Sequence, residues 1–179
     1  KYDNIPKEIK IYKKFSLSPN QKICVLLFPK LGKFKESDMQ RIYSYIKKMG
    51  YFLVVKTRPK EYKKLPKSLH GDMQVNSNIY PNDSLLLMKI ADLCIISSSS
   101  ANEEALFSKI PCIDLVTNNK SYERNKYLYD PKIYKKIENW EGISYKKFSK
   151  YVNSLERKNS NYFDKLIKRF LFTHSNSSE

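Results

Sequence analysis

The chain carries four consecutive serines, Ser97–Ser100, with the glutamate pair Glu103 and Glu104 just behind them. They sit within "ADLCIISSSSANEEALFSKIPCIDL", between a strand-like apolar run and a helix-like one. Serine hydroxyls and the free backbone N–H groups of a helix's first turn suit a phosphate, and small side chains let an anion approach the backbone. A carboxylate one turn further on can accept both hydroxyls of a ribose. A purely architectural role is open too. One serine is a good N-cap, and two glutamates in a first turn stabilise it through the helix dipole by about 0.3–1 kcal/mol each.

Other residues offer less. "PKLGKF" follows the first apolar run and places Lys30 and Lys33 in a loop, either solvated or reaching a diphosphate. No P-loop or G-x-G-x-x-G pattern occurs. His70, in "SLHGD", would need a positioned carboxylate to act as a base. His174 lies in a Ser/Asn-rich tail and reads as solvated, and Asp92 reads as a helix-end or turn residue. Asp114 and Thr117 follow the last strand of the segment; Tyr122, Glu123 and Arg124 lie just beyond. Cys24, Cys94 and Cys112 each fall inside an apolar run, an odd count without metal-ligand spacing. They read as buried hydrophobes in a reducing compartment, and no metal site is expected.

The elements that must position these groups alternate. "KICVLLF", "YFLVVKT", "LCIISS" and "CIDLV" are short continuous apolar runs, as expected of strands covered on both faces, and "MQVNSNIY" is a weaker strand. Between them "DMQRIYSYIKKMG" has helical apolar spacing with Gly50 as its stop, and "NDSLLLMKIAD" opens on Asn82 or Asp83 as an N-cap. "ANEEALFSKI" is a short helix closed by Pro111. Beyond Asn118 a loop-like stretch leads to helices near 145–155 and 162–172. The alternation predicts a three-layer, Rossmann-like parallel α/β sheet with helices on both faces. In such a sheet ligands bind at the carboxyl ends of the strands, where Ser97–Ser100 fall. Residues 21–179 are expected to form this domain, and the lysine-rich residues 1–20 a linker or the edge of a missing N-terminal domain. The chain opens on Lys1 and stops at "SNSSE", which reads as a portion of a longer protein.

The 179 residues carry 34 Lys and Arg against 18 Asp and Glu, a net charge of +16. That favours anionic partners: nucleotides, a membrane surface or nucleic acid. Only five of the 34 are arginine, and the lysines are scattered, so no specific nucleic-acid readout is expected. Compositional bias toward lysine accounts for the same charge. No apolar run approaches the roughly 18 residues of a membrane span.

"MKIADLCIISSSSANEEALFSKIPCIDL" resembles the nucleotide-binding segment in the C-terminal domain of GT-B-fold enzymes. "SSSSANEEA" is similar to the motif Asp-Ser-Gly-Gly-x-Gln-Glu-Glu-Ala of non-hydrolysing UDP-N-acetylglucosamine 2-epimerases, with Ser98, Asn102, Glu103, Glu104 and Ala105 at matching positions. It lacks the leading Asp and both glycines, and the loop after the first strand lacks that family's His-Arg pair. The segment also resembles bacterial surface-polymer transferases of the CDP-glycerol, sialyl and Kdo type. Ser98 and Ser99 match their Ser-Ser turn, and Arg58-Pro59 in "VVKTRPK" stands where they carry His-Pro.

The resemblance implies the donor-binding half of a glycosyltransferase. Lys56, Arg58 and Ser97, Ser98, Ser99 and Ser100 would hold the phosphates, and Glu103 and Glu104 the ribose. The donor would be CMP-, CDP- or UDP-linked, no further cofactor is implied, and the acceptor would be a polysaccharide or lipid-linked. The catalytic base would come from the missing domain. A cytoplasmic location is implied, peripheral at an anionic membrane. The other readings are a sugar-nucleotide 2-epimerase and a non-enzymatic basic anion- or nucleic-acid-binding module.

Overall fold

The computed structural model describes residues 8–28, 32–57, 59–75, 83–97, 101–116 and 130–175, the side chains of 59–61 and 170–175 excepted. Six strands form one sheet: β1 (Ile23–Leu27), β2 (Phe52–Lys56), β3 (Met73–Val75), β4 (Leu93–Ile96), β5 (Cys112–Leu115) and β6 (Tyr134–Ile137). Their order is β3-β2-β1-β4-β5-β6, and every pairing is parallel. The helices are α1 (Glu8–Lys14), α2 (Glu36–Lys48), α3 (Asp83–Ile90), α4 (Ala101–Phe107), α5 (Tyr145–Asn153) and α6 (Asn161–Ser175).

Both faces of the sheet are covered, which is why its strands read as unbroken apolar runs. Alternate residues serve opposite sides. Val25, Val54, Ile96 and Cys112 pack with α1, α3, α4 and α6; Cys24, Leu53, Ile95 and Ile113 pack with α2 and α5. The three cysteines are buried and unbridged among these residues. The expected three-layer α/β architecture is therefore present.

Two stretches differ from the sequence expectation. Residues 8–14, inside the expected linker, form α1, and Ile11 and Phe15 are buried in the core of this domain. The reason is α3: Leu85, Leu86, Leu87, Met88 and Ile90 are all buried, and a helix apolar nearly all round must be covered on its outer side. α1 supplies that cover, and Lys14 pairs with Asp83 at 2.6 Å. The second is β6, inside the stretch expected as loop. Its sequence "YKKI" buries Tyr134 and Ile137 while Lys135 and Lys136 remain more accessible, as suits a short strand at the sheet edge.

Gly50 ends α2 with φ +81°, the left-handed conformation of a helix stop, and the Tyr51 N–H returns to the Ile46 carbonyl at 3.3 Å. Gly71, φ +68°, is more constrained, because a Cβ there would lie 2.8 Å from both the Leu53 carbonyl oxygen and Val55 Cγ2. Among the described residues, no helix is long and apolar enough to cross a membrane.

Candidate functional site

From β1 the chain builds outward to β2 and β3, then crosses to the far side of β1 for β4, β5 and β6. The order of strands reverses between β1 and β4. In open parallel sheets the crevice outside the carboxyl ends at that reversal is where ligands bind. Two connections flank it here. One runs from Phe28 to α2, where Phe28 and Phe34 meet edge to face with centroids 5.1 Å apart. The other leaves β4 at Ser97 and enters α4 at Ala101.

Ser97 is half-buried at the end of β4; Ser98–Ser100 lie outside the described residues. In α4, Glu103 and Glu104 are half-buried in the first turn. Asn102 is buried beside them, and its Oδ1 accepts the Glu103 N–H at 3.0 Å.

Lys56 closes β2 at the same sheet edge and is only 7% exposed. Its ammonium donates to the Thr57 carbonyl at 2.9 Å. Burial lowers its pKa from the ordinary lysine value, while the carboxylate of Asp83 pulls the other way. Thr57 is buried as well, and among the described residues its Oγ1 has no hydrogen-bond partner. Arg58 lies outside the described residues.

At the end of β5, Asp114 is fully buried and accepts a hydrogen bond from the Tyr134 hydroxyl of β6. Sequence reasoning placed Asp114 at this edge but missed its partner, because Tyr134 belongs to the strand it did not recognise. Thr57 was missed too: a threonine after an apolar run looks like any strand terminus. The structure thus gathers Lys56, Ser97, Asp114 and the first turn of α4 at one edge of the sheet.

Other candidates fall elsewhere. His70 precedes β3, at the amino edge, with its Nε2 3.0 Å from the Leu65 carbonyl oxygen. Asp92 is also at the amino edge, occupied by backbone. Lys33 is exposed. Residue 174 belongs to α6 rather than to a loose tail, though its side chain is outside the described set. Lys30, Thr117, Tyr122, Glu123 and Arg124 are outside it as well. Among the described residues, no three His, Cys, Asp or Glu side chains gather as a metal ion requires.

No family model matches the chain. No curated protein matches it either. Solved structures do. A glycosyl transferase family 9 protein of Veillonella parvula superposes with TM-score 0.55 at 12% identity, over 90% of this chain and 48% of that one. For the ADP-heptose LPS heptosyltransferase II of E. coli the values are 0.59 and 10%, over 82% and 50%. For a Methanocaldococcus jannaschii UDP-GlcNAc 2-epimerase, solved with UDP-GlcNAc and UDP, they are 0.54 and 19%, over 92% and 48%. At these identities the likeness is one of fold. The chain has the Rossmann-like α/β fold found in GT-B glycosyltransferases, and it spans about half the length of the solved proteins it matches.

Proposed function

We propose that the chain is the donor-binding half, of the C-terminal type, of a glycosyltransferase. It would transfer a sugar or polyol phosphate from a CMP-, CDP- or UDP-linked donor to a cell-surface polysaccharide or lipid-linked acceptor. The observation that carries this reading is where β4 ends and α4 begins: β4 flanks the strand-order reversal, and Ser97–Ser100 join it in sequence to the helix bearing Glu103 and Glu104. That the chain matches about half the length of proteins of this fold agrees with it.

In this reading the serine hydroxyls and the backbone N–H groups of the turn receive the donor's phosphates. Glu103 and Glu104 take the ribose hydroxyls. Arg58 contributes a planar fork to a phosphate, and Lys56 a desolvated positive charge beneath the edge. Together they stabilise negative charge developing on the departing nucleotide, the contribution expected of preorganised donors in a transferase site. The acceptor and its base come from a separate N-terminal domain. The +16 charge draws the protein to the inner face of an anionic membrane that carries the acceptor; pull-down by anionic but not neutral vesicles tests this.

A second reading, sugar-nucleotide 2-epimerisation, draws on the "NEEA" match and on the shared epimerase fold. It uses the same donor contacts, but the loop "PKLGKF" offers no His-Arg pair for the chemistry.

The test is nucleotide binding to the site variants. Loss of a charged hydrogen-bond partner is worth about 1.5–3 kcal/mol, so Glu104→Ala should weaken binding roughly ten- to hundredfold with the fold intact. Unchanged affinity in both Glu103→Ala and Glu104→Ala would remove the ribose assignment.

A further inference from the structure

At the opposite edge of the sheet from the serine turn, the structure holds a cleft of about 650 Å³. It opens where the amino ends of β1, β2, β4 and β5 meet the segment that follows α5, and Tyr51, Leu93 and Pro111 contribute to its lining. Three cations line it: Lys22 just ahead of β1, and Arg157 and Lys158 from the segment after α5. A volume of this size is in the range of small-molecule sites.

The side chains of Lys22 and Arg157 are exposed at the cleft and that of Lys158 is half-buried, and no helix end accounts for their gathering. Helix carboxyl ends gather at the amino edge of a parallel sheet, and basic side chains there ordinarily answer helix-end carbonyls. Here the last carbonyls of α5 are taken by backbone: the Ser154 N–H donates to the Lys150 carbonyl at 3.1 Å and the Leu155 N–H to that of Val152 at 3.2 Å. Lys22 lies over the Tyr51 ring, 4.1 Å from its centroid. Among the described residues, none of the three cations makes a side-chain hydrogen bond or an ion pair.

Two carboxylates, Asp92 and Glu156, also line the cleft, and among the described residues neither forms an ion pair with these cations. Asp92 Oδ2 accepts the Ile23 N–H at 2.8 Å. Burial lowers the pKa of the half-buried Lys158 ammonium, against the pull of Glu8 and Asp92. A cation held in such a place gains most from a counter-charge that arrives with a ligand.

We propose that this amino-edge cleft is a second binding site, separate from the serine-turn site, for a small phosphate-bearing anion. The Arg157 guanidinium matches the paired oxygens of a phosphate, with Lys22 and Lys158 supplying further donors and charge. The anion is a phosphate monoester or diphosphate, free in solution or carried on a lipid head group.

The experiment is a titration of the full 179-residue chain with inorganic pyrophosphate and with glycerol 3-phosphate, followed by amide chemical shifts in two-dimensional NMR. Saturating shifts should cluster at residues 22–23, 92–93 and 153–158, apart from those at Lys56 and Ser97. The paired change Arg157→Gln with Lys158→Gln should weaken this binding about tenfold or more, one lost charge-assisted contact being worth that much. Lys146→Gln with Lys147→Gln, an equal loss of charge on the exposed face of α5, should leave it unchanged. The spectra themselves report that each variant is folded.

Sedimentation with phosphatidic-acid vesicles that needs Arg157 and Lys158, and is absent with phosphatidylcholine, assigns the phosphate to a head group. Soluble binding without it assigns a free metabolite. Non-saturating shifts spread over the exposed lysines, or equal loss in both variant pairs, would overturn the proposal.

Discussion

Asp92 and Ile23 are joined twice: Asp92 Oδ2 accepts the Ile23 N–H at 2.8 Å, and the Asp92 N–H donates to the Ile23 carbonyl at 2.8 Å. The pair stitches the start of β4 to the start of β1, the two strands that flank the order reversal. Asp72 does the same for β2, accepting the Leu53 N–H at 2.8 Å and donating its own N–H to Leu53 O at 2.9 Å. These aspartates fix strand register at the amino edge, and so fix what leaves the carboxyl edge.

Asp92→Ala leaves the Ile23 N–H without this acceptor. A hydrogen bond to a charged group contributes about 1.5–3 kcal/mol, and the urea midpoint should fall by the corresponding amount. Asp92→Asn keeps an acceptor and should lose less. An unchanged midpoint in Asp92→Ala would show that the clamp contributes nothing.

Lys56 ties stability to pH. Its folded-state pKa is lowered by burial, so the unfolded chain holds the proton more tightly than the native one does. The stability cost is fully present below the folded-state pKa and is relieved as pH rises through it toward the ordinary lysine value. Lys56→Met should therefore stabilise the protein at neutral pH, by about 1 kcal/mol, and should remove that part of the alkaline rise. The same variant should bind nucleotide more weakly. Destabilisation at neutral pH would show that Asp83 needs Lys56 as well as Lys14.

The glycines separate two kinds of cost. At Gly50 a Cβ would meet nothing within 4 Å, and only the left-handed φ opposes alanine, at about 1–2 kcal/mol. At Gly71 the same conformational term is joined by contacts at 2.8 Å with Leu53 O and Val55 Cγ2. Overpacking adds about 1–3 kcal/mol. Thermal unfolding should rank Gly71→Ala well below Gly50→Ala, and equal midpoints would contradict the close packing at Gly71.

Much of this was legible in the chain itself. "ICVLL", "FLVVK" and "LCII" are buried on both faces, and continuous apolar runs of that length have few other uses. The connection from β4 to α4 was legible because it lies between such a run and a helix bearing Glu103 and Glu104. What escaped depended on partners remote in sequence. α1 looked like a lysine-rich linker until α3 required a cover, and β6 was hidden by Lys135 and Lys136. The Asp114–Tyr134 bond joins residues of neighbouring strands, and the amino-edge cleft draws on separate segments that share no motif.

The measurement that bears most directly on the central proposal is calorimetric titration of the chain with CMP, CDP, UDP, GDP and ADP at physiological and at raised salt. A nucleotide site built from Ser97–Ser100 and Glu103–Glu104 predicts one site per chain and a clear preference for one base, with affinity only partly reduced by salt because short-range hydrogen bonds are screened less than long-range charge attraction. Weak binding of every nucleotide alike, fading as salt is added, would contradict it and leave a basic α/β module that attracts anions by charge alone.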